Sequence, residues 1–175
     1  MTHDEFQKEM EERFPHMFSG RYGGFAVGEG WFPIIRSLCS NIEHHVKWKR
    51  DRRMRDLLLD RARGKGYENV LSHICKGRMP SSWDIERAQE VMNKPPAITE
   101  YVRRVKVAQI KEKFGGLRFY YDGGDDTVSG MVTMAEAWAS TLCETCGAKG
   151  KQRGGGWIRT LCDEHEAEYQ KKEKF

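Results

Sequence analysis

No stretch of this sequence reaches the roughly 18 uncharged apolar residues that a membrane span needs. The opening run MTHDEFQKEMEERF also lacks the apolar core of a secretory signal. Both absences predict a protein that stays off membranes. Cysteine is sparse and odd in number, five in all: three fall into a metal-ligand spacing, and Cys39 and Cys75 sit on apolar stripes of predicted helices. That usage predicts free thiols and a reducing cytoplasm rather than disulfides. There is no HExxH, no nucleophile elbow with a Ser/His/Asp set, no complete EF-hand loop and no internal repeat. The sequence thus carries none of the motifs by which HExxH proteases, α/β-hydrolases, EF-hand calcium sensors or solenoids are read.

What remains is enough for one compact body with a small appendage. The 175 residues are 38% hydrophobic and include 5 Trp, 6 Tyr and 8 Phe, sufficient to bury a core despite 32% charged residues. The net charge of +4 is unevenly spread. Residues 47–65 hold nine Lys/Arg against three Asp, while 119–148 hold five acidic residues and no basic one.

Thr2 and Glu5 fit a capping box, and Phe6, Met10 and Phe14 share a stripe, which predicts a helix over 3–14. Trp31, Ile34, Ile35, Leu38, Cys39, Ile42 and Val46 predict a central helix, with Pro33 tolerated in its first turn. Three short helices are expected over 51–93: a basic one stopped by Gly64, one ending at Gly77, and one capped by Ser82 that must end before Pro95. The period then changes to two. Val105 and Val107, then Leu117, Phe119 and Tyr121, predict two strands joined at Gly115–Gly116. Met131, Met134, Ala135, Trp138 and Leu142 mark a final helix of the body. The fold class is therefore α+β: a mainly helical body over 1–142 with a small antiparallel hairpin or sheet, a helical insertion at 49–95, and a metal-binding tail at 143–175 finishing as a knuckle or ribbon.

The strongest motif is Cys143-x2-Cys146, a spacer of fifteen residues that opens with Gly147, then Cys162-x2-His165. Two-residue gaps let a knuckle turn aim both side chains at one ion, and Gly147 relieves the turn. Four such ligands close a tetrahedron, which predicts structural zinc, with Asp163 and Glu166 as lesser candidates for the fourth place.

Nucleic acid or a host protein is the expected partner, met through Arg50, Arg52 and Arg53 on the basic helix, Lys111 and Lys113 at the hairpin rim, and Lys149, Lys151, Arg153, Trp157 and Arg159 on the finger between the ligand pairs. Trp157 has a second reading, packing beneath the metal site, which the small size of the tail favours. Asp122, Asp125 and Asp126 read either as a strand-to-helix turn with Asp126 as N-cap, or as a carboxylate cluster that with Arg118 would serve a metal-dependent phosphodiesterase. The adjacent His44 and His45 lack companion ligands. The glycines at 115 and 116 open a strand, not a helix, so a Walker-type phosphate loop is excluded.

The segment IKEKFGGLRFY at 110–120, taken with Gly30-Trp31-Phe32 and the Cys/His motif, resembles a group of small uncharacterised proteins of bacteriophages and prophages. The resemblance covers residues 25–48 and 100–166. It implies a phage-derived protein of the host cytoplasm, one that inhibits or redirects host machinery or antiviral defence, and it carries no activity with it.

Overall fold

The computed structural model describes residues 1–20, 22–154 and 157–172. In chain order the elements are α1 (His3–Arg13), β1 (Phe25–Ala26), a 3-10 turn (Glu29–Trp31), α2 (Phe32–Arg63), α3 (Tyr67–Cys75), α4 (Ser82–Asn93), β2 (Arg103–Lys113), β3 (Gly116–Gly124), α5 (Asp126–Ala139), β4 (Lys151–Arg153), β5 (Arg159–Leu161) and α6 (Asp163–Lys172). The expected α+β class is what is found. The chain divides into two compact units, Met1–Val46 with Arg103–Phe175, and Lys47–Val102.

In the first unit, α1 starts on the Thr2/Glu5 capping box and buries Phe6 and Met10. Phe6 stacks on Phe32 with ring centroids 4.0 Å apart, and Arg36 clamps Glu9 at 2.7 Å. Trp31, Ile35, Cys39 and Ile42 are wholly buried, as the helical stripe requires. The sheet has the order β1-β2-β3, with β1 parallel and β3 antiparallel to β2. Its inner face carries Val105, Val107, Ile110, Leu117 and Phe119.

Three local expectations need correction. The predicted central helix and the basic helix are one: α2 runs unbroken for 32 residues, because nothing between Val46 and Gly64 breaks it. The KWKRDRR segment consists largely of good helix formers. The Asp122-Gly-Gly run is not a turn but the end of β3. The face of α5 is also different. Val128, Val132, Ala135 and Ala139 are buried, whereas Met134 and Trp138 are 66% and 58% exposed. The cause is close approach: Glu136 on α5 accepts the Phe119 amide at 2.8 Å, so the helix seals the free edge of β3 and must turn its smaller side chains inward.

In the second unit, Ala62, Val70, Ala88 and Val91 form a small core, bordered by Leu59, Tyr67, Leu71, Ile74 and Met92. The cap of α4 is Ser81, one residue before the expected Ser82, with Asp84 completing a capping box. Asp84 is fully buried and takes both arms of Arg78 at 2.6 Å. That pairing, then the Ser81 hydroxyl and amide, hold its carboxyl far below the usual carboxylate range.

Candidate functional site

Cys143, Cys146, Cys162 and His165 converge, with ligand atoms all within 4.8 Å of one another. Among the described residues no other group of three or more Cys, His, Asp or Glu gathers in this way. Cys146 and Cys162 sulfurs are 3.9 Å apart, and Nδ1 of His165 lies 3.7 Å from the Cys143 sulfur and 3.1 Å from that of Cys162. A tetrahedral ion with metal–sulfur bonds of about 2.3 Å sets its sulfurs about 3.8 Å apart. The quartet therefore fits a metal ion, and all the cysteines are free thiols.

The local backbone explains the convergence. The Gly147 amide bonds the Cys143 carbonyl at 2.8 Å, closing the first knuckle, and Gly147 takes φ +76°. β4 and β5 form the spacer hairpin, returning the chain to Cys162, and His165 sits in the first turn of α6. The backbone amide of His165 and then its ring draw the Cys162 thiol down to about 7, toward the thiolate a metal needs. At Cys146 the Ala148 amide lowers the pKa, but lost hydration and the neighbouring sulfurs outweigh it and leave it raised. Crowded thiolates oppose one another, and a cation among them relieves that opposition.

Two distant segments are built onto this centre. The first is the loop entering α2. Gly30 donates to the Glu144 carbonyl at 2.8 Å, and the Trp31 indole donates to the Leu142 carbonyl at 2.9 Å. A Cβ on Gly30 would lie 2.3 Å from the Cys143 carbonyl oxygen and 2.4 Å from the Gly147 nitrogen, so only glycine admits the knuckle. The second is the β2–β3 turn. The buried Thr160 hydroxyl donates to the Gly115 carbonyl at 2.5 Å, and Gln152 donates to the Phe114 carbonyl at 3.0 Å.

Trp157 does not pack beneath the metal site: it is 63% exposed. The wholly buried tryptophan next to the first knuckle is instead Trp31, whose indole donates to the Leu142 carbonyl. Gly155 and Gly156 of the finger lie outside the described residues.

The basic candidates separate by partner. Arg50 bonds the Tyr101 hydroxyl and the Val102 carbonyl, both at 3.2 Å, and Arg53 bonds the Thr99 carbonyl at 2.7 Å. These two tie residues 99–102 to α2. Arg52 lies over the Trp48 ring. On the finger, Arg153 pairs with Asp163, and Arg159 reaches Glu144 at 3.6 Å while covering the Tyr169 ring. Lys149 and Lys151 are exposed beside Arg153. Glu144 is nearly buried, and burial first, opposed by Arg159 and reinforced by Glu112, raises its carboxyl.

The three aspartates do not gather. Asp122 pairs with Arg103 on β2. Asp125, rather than the expected Asp126, caps α5 by accepting the Val128 amide at 3.2 Å. It also holds His45 Nε2 at 3.0 Å, while Asp126 occupies the first helical turn. Arg118 leans toward Glu136 at 3.7 Å, and Glu112 accepts the Gly115 amide at 2.5 Å. These residues build the fold around the hairpin.

The outer face of β2–β3 is where unpaired cations collect. Lys106 pairs across with Asp122, Gln109 with Tyr120, and Lys111 with Arg118. β2 is irregular between Arg103 and Lys106 and between Val107 and Gln109, and its burial pattern leaves Arg104 exposed beside buried Val105 at one end and Lys113 exposed at the other. Among the described residues Arg104, Lys106, Lys111 and Lys113 make no ion pair. Lys111 stands over the ring of exposed Tyr120 at 5.1 Å, and Lys113 over that of exposed Phe114 at 5.5 Å. The period-two pattern makes Arg104 and Lys106 outward residues, but sequence did not distinguish them from any solvated lysine. What singles them out is the shared face with Tyr120.

Among the described residues no helix is long and apolar enough to cross a membrane. Comparison of the chain with protein-family models, curated proteins and solved structures returns no match.

Proposed function

We propose that this chain is a non-enzymatic, zinc-stabilised protein that binds nucleic acid through the outer face of β2–β3. The observation that carries this reading is the set of four unpaired cations, Arg104, Lys106, Lys111 and Lys113, arrayed around exposed Tyr120 on one sheet face. Cations on a rigid face suit phosphates, and an aromatic among them suits a base. Zinc is the metal that three thiolates and one imidazole in a closed tetrahedron favour. With four protein ligands no position is left for a catalytic water, so the ion's work is to hold the hairpin turn and the α2 entry loop in place. The likeness of the 110–120 segment to phage and prophage proteins supports a setting in an infected host, with host or viral nucleic acid as the target.

The test is binding of the metal-loaded chain to labelled DNA and RNA between 50 and 200 mM salt, with bound metal measured on the same sample. About four phosphate contacts give a log–log salt slope of roughly −3 to −4. The double variant Arg104→Ala/Lys106→Ala reduces that slope by about two. Absence of binding at the lower salt, or a salt-insensitive interaction, overturns the reading.

A further inference from the structure

The sheet face has only one open approach. The turn end of the hairpin is pinned to the metal-bearing tail by Thr160 on Gly115 and Gln152 on Phe114. The outer edge of β3 is sealed by α5 through Glu136, and that of β2 is occupied by β1 and by the Met17 carbonyl, which accepts the Val107 amide at 2.8 Å. A two-stranded ribbon reads duplex DNA by entering the major groove, which this hairpin, held at its tip and both edges, cannot do. Among the described residues the outer face is what this hairpin offers to a ligand.

On that face the aromatics are arranged in a repeated unit. Tyr120, 41% exposed, lies beneath the Lys111 ammonium; Phe114, 67% exposed, lies beside the Lys113 ammonium at the turn. Tyr120 and Gly116 are four residues apart along β3, about 13 Å at the usual strand rise. Phe114 sits at φ +53°, a conformation an L-residue seldom takes, in the turn between the strands. Beyond the turn, the Ile158 side chain lies close against Gly115. An aromatic ring on a surface can stack only on a base whose face is free, and in a duplex the base faces are already occupied by their neighbours.

We infer that the ligand is a single strand lying across β2–β3: its unpaired bases take the Tyr120 and Phe114 ring faces in place of the Lys111 and Lys113 ammoniums, which swing off the rings to meet its phosphates together with Lys106 and Arg104. This rests on the nucleic-acid reading above and narrows it to unpaired strands. Sequence preference is weak, because every base has a stacking face and no buried donor or acceptor is aimed outward from these strands.

The experiment compares the metal-loaded full chain on labelled oligothymidylate of about 15 nucleotides with a duplex of equal length, at one salt concentration. The single strand is expected to bind at least about tenfold tighter. Tyr120→Ala is expected to weaken single-strand binding about 5- to 150-fold, with Tyr120→Leu weakened similarly because stacking, not bulk, is lost. Lys106→Ala is expected to weaken strand and duplex alike. Unchanged thermal unfolding of the Tyr120 variants shows that the fold is intact. Equal affinity for strand and duplex, or a neutral Tyr120→Ala, overturns the single-strand inference while leaving nucleic-acid binding in place. Failure to bind either probe at low salt overturns both.

Discussion

The amide of Gly30 donates to the carbonyl of Glu144 at 2.8 Å, one residue past the first metal-ligand cysteine. The contact forces Gly30 against the knuckle so closely that an added methyl would overlap three backbone atoms. Gly30→Ala is therefore expected to cost at least about 1–3 kcal/mol by overpacking, a drop measurable by thermal unfolding. The same variant should release its metal faster to a competing chelator. A variant with unchanged unfolding and metal-release rate would show that the knuckle is not docked there.

Removing the metal should act well beyond its ligands. Chelation, or Cys143→Ala, is expected to expose the amides of residues 143–165 to hydrogen exchange and then those at the β2–β3 turn, because Thr160 is what holds Gly115. α3 and α4 belong to the other compact unit and should keep their protection. A chelated chain with a fully protected tail would contradict the structural role of the ion.

The pairing of buried Asp84 with the exposed Arg78 guanidinium gives the second unit an acid limit. The folded carboxyl is depressed below its unfolded value near about 3.9, so its stabilisation is complete above that value and is lost as pH falls toward the folded pKa. Unfolding of this unit followed from pH 5 to 2 should show stability declining below about pH 4, with a shallower decline in Asp84→Asn. Equal slopes would remove the pair from the account.

Asp125 and Asp122 should separate in their effects. Asp125→Ala loses the cap of α5 and the His45 contact, for a cost of about 1 kcal/mol or more. Asp122→Ala removes only an exposed pair with Arg103 and should stay within about 0.5 kcal/mol. Denaturant unfolding of both variants reads the difference, and equal costs would refute the cap assignment.

The Cys/His cluster was legible because its spacing is short-range and chemically specific: Cys143-x2-Cys146 and Cys162-x2-His165 state their convergence in the chain itself. The capping box at Thr2 and the hairpin over 103–124 were legible for the same reason, since each is set by residues a few positions apart. Other features depend on distant partners. Nothing near Arg50 or Arg53 announces that residues 99–102 will use their donors, so both read as surface cations. Nothing near Trp157 announces that the buried indole beside the knuckle comes from Trp31, 111 residues before Leu142. The apolar stripe of Met131, Met134 and Trp138 misled because helical periodicity ranks faces by hydrophobicity, whereas α5 was selected by size, with alanine and valine against a strand edge. The order of a glycine-rich turn is likewise set from outside: Gly115 and Gly116 signal a hairpin, but only Thr160 and Gln152 say what it rests on.

The bond from Thr160 to Gly115 joins residues 45 positions apart, and that from Trp31 to Leu142 joins residues 111 apart. A growing chain can form β2 and β3 long before either clasp exists. Both clasps need residues near or beyond the first knuckle, so the one on Gly115 cannot close until the chain through Thr160 has been made, and an ion held by the quartet would be fixed only once Cys162 and His165 have followed.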